Sequence, residues 1–354
     1  MIDMATLVPI ILLLAGFYVG WNIGANDAAN CIGTTVGAGI ISFRNAALLM
    51  GVCVIIGGVL QGHKVMKTVG KGIIITSEAD YQQVNQRPAP SEMATWFPSG
   101  NLPDHAIFAA LISAGLFVTL ATFSSIPVST SQAIVGGVAG VGLGITFFDT
   151  TFLRMGVLLK ILTCWVLSPV LTMFLAWTLY LCLTAMLKHA RAIYADRVLG
   201  VLVLVSAGYV SYSLGANDVG NAIGPLLQKF PDHGWMLALL GGIAMAIGAL
   251  TFGKRVVYTV GQGIVPLNLT GAFSAQMAAA IGVQVFSTLG IPVSTSQAIV
   301  GAVIGIGLTK GSQTVRVKTI GTIVTGWVAT PICAAVFAAG IYYGINLLVT
   351  RGGA

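Results

Sequence analysis

The sequence predicts an all-α polytopic membrane protein made of two inverted-topology repeats, each combining membrane-spanning helices with one re-entrant helical hairpin. Composition is the first reason. Of 354 residues, 56% are hydrophobic and 8% charged, and the mean hydropathy is +0.93, outside the range of a soluble domain of this length. The second is a polar string that interrupts the apolar text twice, Gly24-Ala25-Asn26-Asp27-Ala28-Ala29-Asn30 and Gly215-Ala216-Asn217-Asp218-Val219-Gly220-Asn221, with the two aspartates 191 residues apart. The third is a duplicated Pro-Val-Ser-Thr-Ser-Gln-Ala-Ile-Val-Gly string, at 127–136 and again at 292–301.

In chain order, the first apolar run, Leu7 to Val19, follows Asp3 and no basic residue, so it reads as a retained span and not as a cleaved leader. Further runs lie at Ala46–Leu60, Ile107–Ala121, Met155–Leu187, Val198–Leu214, Trp235–Phe252 and Ile320–Val349. They suit helices crossing a hydrocarbon core about 30 Å thick better than barrel strands. The segment Gly62 to Ile73, with Lys64, Lys67 and Lys71, is echoed by Gly253 to Ile264, with Lys254 and Arg255, at the same 191-residue offset. From Thr76 to Asp104 the chain turns polar, an extramembrane loop. Trp165 and Pro169 are answered by Trp327 and Pro331. The halves divide as 1–190, with the signature at 24–30, the loop at 76–104 and a hairpin at about 105–145, and 191–354, with the signature at 215–221 and a hairpin at about 271–308.

Basic residues gather at Arg44, at Lys188/Arg191/Arg197, at Lys254/Arg255 and at Lys310/Arg316/Lys318, whereas the loop from Thr76 is on balance acidic. With three spans and one same-side hairpin per half, both termini and the acidic loop lie outside and the basic linker inside. The second half then starts from the opposite side, which inverts the repeats. These loops account for the net charge of +7, so the expected partners are a lipid bilayer and small ions, with no nucleic acid. Cys31, Cys53, Cys164, Cys182 and Cys333 lie singly, without metal-ligand spacing, and read as packing residues. Gly136/Gly140/Gly144 and Gly301/Gly305 predict close helix approach.

A carboxylate at membrane depth is expensive and marks a functional site. Small residues around Asp27 and Asp218 are expected to let each helix unwind and offer its carbonyls. The resulting ligands are hard oxygens: the two carboxylates, the side-chain carbonyls of Asn26, Asn30, Asn217 and Asn221, and freed main-chain carbonyls. They suit Na⁺ or a proton and not a transition metal. The plain alternative is that each signature only caps a helix. In the second string, proline stops one helix and the Ser/Thr cluster caps another, expected to begin near Gln132 and Gln297. Helix N-termini and hydroxyls would then face a cavity suited to a tetrahedral oxyanion, against the plain alternative of a proline-kinked helix. Lys64, Lys67, Lys71, Lys254 and Arg255 read as snorkelling or loop charges, with substrate steering as the other reading. His63, His105, His189 and His233 take no role.

The paired signatures and paired PVSTSQAIVG strings resemble the inorganic phosphate transporter (PiT) family over nearly the whole chain. The resemblance implies inorganic phosphate transport coupled to Na⁺ or H⁺, no enzymatic activity, no catalytic cofactor, a prokaryotic cytoplasmic membrane and a homodimer. Carried over, Asn26, Asp27, Asn30, Asn217, Asp218 and Asn221, with Ser129 and Ser294, become cation-binding, Na⁺ resting on Asp27, Asn30, Asp218 and Asn221. Thr130, Ser131, Gln132, Thr295, Ser296 and Gln297 become phosphate contacts, with both aspartates at their border. Two departures stand out. The linker from Lys188 to Arg197 is short, as in prokaryotic members, and no acid lies between Asp27 and Glu78, where many relatives carry a glutamate. A sulfate permease of the same architecture, a passive channel and an intramembrane aspartyl hydrolase are the competing readings.

Overall fold

The computed structural model describes residues 4–123, 128–188, 192–260, 267–309 and 317–352. Ser124–Pro127, His189, Arg191, Gln262, Lys310 and Arg316 fall outside those segments.

Helix α1 (Met4–Gly37) carries the first signature, followed by α2 (Phe43–Gln61) and the short amphipathic α3 (His63–Lys71). The polar loop holds α4 (Glu78–Asn85) and α5 (Met93–Trp96). A hairpin of α6 (Asp104–Phe123) and α7 (Thr130–Ile145) precedes the long α8 (Met155–Leu187). The second half follows the same order: α9 (Ala192–Ile223) with the second signature, α10 (Gly234–Thr251), α11 (Gly253–Val260), the hairpin α12 (Leu269–Thr288) and α13 (Thr295–Thr309), and α14 (Val317–Gly352). Among the described residues there is no β-strand, only an Ile74–Leu153 bridge. Among the described residues, eight helices are long and apolar enough to cross a membrane. The returning hairpin helices α7 and α13, 16 and 15 residues long, reach only about 24 Å at 1.5 Å per residue. The outer faces of α8 and α14 are apolar and exposed, with Leu159, Val166, Phe174, Val328 and Val336 among the residues presented outward.

The halves are interleaved. The α2 helix packs on α9 and α10 on α1, while α7 packs on α14 and α13 on α8. Glycines make these crossings possible. A Cβ at Gly136 would lie 2.3 Å from the Pro331 carbonyl oxygen, and one at Gly301 would lie 2.2 Å from that of Pro169. The glycine spacing therefore does what it predicted, and the two prolines face it.

Both signature helices run unbroken through their Gly-Ala-Asn-Asp strings, which corrects the expectation of unwinding and freed carbonyls. The small residues serve contact instead. A Cβ at Gly24 would stand 2.0 Å from the Met245 carbonyl oxygen and one at Gly215 2.1 Å from that of Val54. Intact helical hydrogen bonds keep the backbone satisfied where water is scarce. The polar loop is itself folded: Tyr81, Met93, Phe97 and Leu102 are buried with Phe152, and Asp80 pairs with Arg154 at 2.6 Å.

Substituting Gly215 by Leu is expected to destabilise the protein by roughly 3 kcal/mol through overpacking. Gly200→Ala on the same helix, where no atom lies within 4 Å, should leave stability unchanged or raised. Thermal melts in detergent compare the two, and equal melts would refute the close-approach account.

Candidate ion-binding site

The site forms where the first turns of α7 and α13 meet the C-terminal third of each signature helix. The returning helices begin at Thr130 and Thr295, two residues earlier than expected. Ser129 Oγ accepts the Gln132 N–H, and Ser294 Oγ accepts that of Gln297, each at 3.2 Å. Ser129 and Ser294 thus act as N-caps, which fixes where the next two hydroxyls point.

Asp27 and Asp218 are both fully buried. Asp27 Oδ1 accepts from Asn30 Nδ2 at 2.8 Å and from Ser296 Oγ at 3.2 Å, and Oδ2 accepts from Thr130 Oγ1 at 3.2 Å. Asp218 Oδ1 accepts from Asn221 Nδ2 at 2.8 Å and from Ser131 Oγ at 3.0 Å, and Thr295 stands beside it. Neighbouring residues of one hairpin, Thr130 and Ser131, therefore hold the carboxylates of both halves, and Thr295 and Ser296 repeat the arrangement. Asn30 and Asn221 tighten it, donating to Ser296 Oγ at 2.8 Å and Ser131 Oγ at 2.7 Å respectively.

Asn26 and Asn217 turn elsewhere. Asn26 Nδ2 donates to Thr122 Oγ1 at 2.8 Å, and Asn217 Nδ2 to Ser287 Oγ at 3.1 Å. Each ties its signature helix to the incoming hairpin helix, α6 or α12. Asn217 Oδ1 lies 3.2 Å from Asn221 Nδ2, whose two hydrogens have closer acceptors in Asp218 and Ser131.

In the signature and hairpin strings, four of the described buried oxygens lack a hydrogen-bond donor: Asp218 Oδ2, Asn221 Oδ1, Gln132 Oε1 and Gln297 Oε1. Orphaned acceptors of this kind cost roughly 1–3 kcal/mol each, more when charged. No cluster of three His, Cys, Asp or Glu side chains occurs among the described residues.

Several partners were not singled out from sequence. Thr122 and Ser287, at equivalent places in the two hairpins, are polar residues in apolar helices. So is Gln276, buried and bonded to Ser206 Oγ at 2.8 Å, Cys31 O at 2.9 Å and Thr35 Oγ1 at 3.2 Å. Its counterpart in the first hairpin is Leu111, and the positions matching Ser206, Cys31 and Thr35 are Ala15, Ala222 and Leu226. That clamp has no copy, so repetition could not reveal it.

Span-length apolar helices enclosing paired acidic signatures, each closed by a hydroxyl-bearing hairpin tip, define a polytopic membrane transport protein. The model of the phosphate transporter family matches residues 23–338, and the chain belongs to that family. It is accordingly a transporter and not an enzyme. The chain is 30% identical to the "Putative phosphate permease PH0640" of Pyrococcus horikoshii, covering 96% of this chain and 98% of the relative. It is 31% identical to the "Putative phosphate permease MJ0630" of Methanocaldococcus jannaschii, with 92% and 93% covered. A solved structure titled "The sodium-dependent phosphate transporter" superposes with a TM-score of 0.81 at 27% identity, covering 96% of this chain and 99% of that one.

Asp218→Asn removes a buried charge with an unpartnered oxygen. In buffer free of sodium the variant should melt higher than the wild type, by analogy with other unpaired buried charges. Added sodium should raise the wild-type melting temperature and raise the variant's by less, since Asp27 remains. A variant that melts lower and responds to sodium as strongly as the wild type would contradict this view of the site.

Proposed function

We propose that the protein is a secondary active symporter that imports inorganic phosphate, coupled to Na⁺, by alternating access between two inverted halves. The observation that carries the reading is the double use of the hairpin hydroxyls. Without cations, those of Thr130, Ser131 and Ser296 are spent on carboxylates. A cation bound at each aspartate takes over its lone pairs and frees these O–H groups, together with that of Thr295, to donate to a tetrahedral oxyanion. Phosphate then binds well only after the cations, which is the thermodynamic content of coupling.

The donorless oxygens of Asp218, Asn221, Gln132 and Gln297 support cation binding, and the relative with the matching structure is titled sodium-dependent. In this scheme Asn30 and Asn221 serve with the aspartates in cation binding, and Gln132 and Gln297 sit between cation and phosphate. Ser129 and Ser294 contribute as caps, and Asn26 and Asn217 hold the hairpins in register. The exchange of packing partners between halves fits inverted repeats with re-entrant hairpins. We place the protein in a prokaryotic cytoplasmic membrane with both termini outside, as a homodimer. Proton coupling is the second reading, since Asp218 Oδ2 is equally able to take a proton.

Phosphate uptake into proteoliposomes under separate Na⁺ and pH gradients tests this. The wild type should respond to Na⁺, and Asp27→Asn and Asp218→Asn should each lose most of the coupled uptake. Uptake indifferent to both gradients, or wild-type coupling in both variants, would sink the proposal. Displacement of phosphate by sulfate would reassign the anion.

A further inference from the structure

The tip of the second hairpin is held by its carbonyls. Thr288 O accepts from Lys64 Nζ at 2.9 Å, Ile291 O from Asn217 Nδ2 at 3.5 Å and Pro292 O from Trp165 Nε1 at 3.1 Å, and Val293 O lies 2.7 Å from Ser131 Oγ, whose single proton it shares with Asp218. Of these four donors Asn217, Trp165 and Ser131 are buried, while Lys64 is exposed and charged. It reaches the tip from α3, whose inner face sits on the end of the second signature helix: a Cβ at Gly220 would lie 2.7 Å from Met66 N. The helix is therefore laid along the stretch of α9 that carries Asn221. Its outer face presents Lys64, Lys67 and Lys71. None of the three belongs to either ion pair among the described residues, Arg154–Asp80 and Lys229–Asp104. Gly290, at φ +71°, folds the tip against Lys64: a Cβ there would stand 3.3 Å from the Lys64 carbonyl oxygen.

A lysine serving only to cap α12 would need no charged companions. The site nearby holds two carboxylates, so an arriving oxyanion meets a repulsive field, which ammonium groups at the rim offset and focus. Lys64 keeps two N–H groups after bonding Thr288. Thr288 is itself exposed, so water satisfies its carbonyl when the lysine leaves.

We infer that Lys64, with Lys67 and Lys71, forms an anion-collecting mouth on the face where α3 lies, and that Lys64 is a positioning residue linking phosphate capture to the setting of the second hairpin tip. The inference rests on the phosphate reading of the site. The chemistry recognised is a phosphate group, and free phosphate and an anionic lipid headgroup are separated by the choice of vesicle.

The test is sodium-driven phosphate uptake, as a function of phosphate concentration and ionic strength, in vesicles of zwitterionic lipid alone and with anionic lipid added. In both lipids Lys64→Met should raise the apparent KM about tenfold, with a smaller fall in Vmax, and Lys64→Arg should restore most of the affinity. The Lys67→Met/Lys71→Met double variant leaves the pin on Thr288 intact. It should raise KM about threefold and flatten its dependence on salt, as removal of steering charge requires. An unchanged KM with lowered Vmax in Lys64→Met would overturn the inference, as would an equal loss in Lys64→Arg. An effect confined to anionic vesicles would assign the lysines to headgroups and overturn it too. Should Lys64→Met fail to assemble, the double variant decides alone. A wild type that takes up no phosphate is a failure of the symport reading and is seen separately.

Discussion

Two carboxylates buried at membrane depth must each find donors inside the protein, and the rest of the structure is arranged to supply them. Donors come in consecutive pairs from the first turn of a short helix, so one hairpin tip reaches both acids at once. That demand fixes the caps at Ser129 and Ser294 and the entry of α7 and α13 beside the signature helices, while glycines let α7 and α13 close on α14 and α8 behind them. Asn26 and Asn217 make the arrangement rigid by tying each signature helix to the incoming arm of a hairpin. A network of this kind gains from being complete, because any unpaired member in a low-dielectric interior is costly. It stops short of complete around Asp218, where several acceptors still lack a donor.

Much of the architecture was legible because it is written twice. The repeated strings pointed to the signature helices and the glycine crossings, and hydropathy located seven of the eight span-length helices found among the described residues, missing Leu269–Thr288. Local chemistry was harder to read. Gly24 and Gly215 suggested unwinding, yet their lack of a side chain serves an interhelical approach that only the partners Met245 and Val54 reveal. Asn26 and Asn30 look alike in the sequence. Four residues of helix separate them by about one turn, and each faces a different neighbour, so one meets Thr122 and the other Asp27. The exchange by which Ser131 serves Asp218 while Thr130 serves Asp27 depends on how the halves interlock, which a linear pattern does not carry.

The two halves are also unequal in ways their motifs conceal. Gln276 binds the second hairpin to α1 and α9 through directional hydrogen bonds, whereas at the matching place the first hairpin carries the buried Leu111. The first hairpin is tied to α1 nearer its tip instead, where Thr119 bonds Asn22 and Thr122 bonds Asn26. Hairpins whose tips are chemically the same are therefore held at different depths.

The interleaving has a consequence for biogenesis. Helix α7 carries Thr130 and Ser131, but its glycine face is shaped for Pro331 and Ala335 on α14, which leaves the ribosome well after it. Until that helix is inserted, α7 lacks the surface it is built to lie against, and the hydroxyls it bears have no fixed place beside either acid. The first half can enter the bilayer early, but the setting of its hairpin waits for α14.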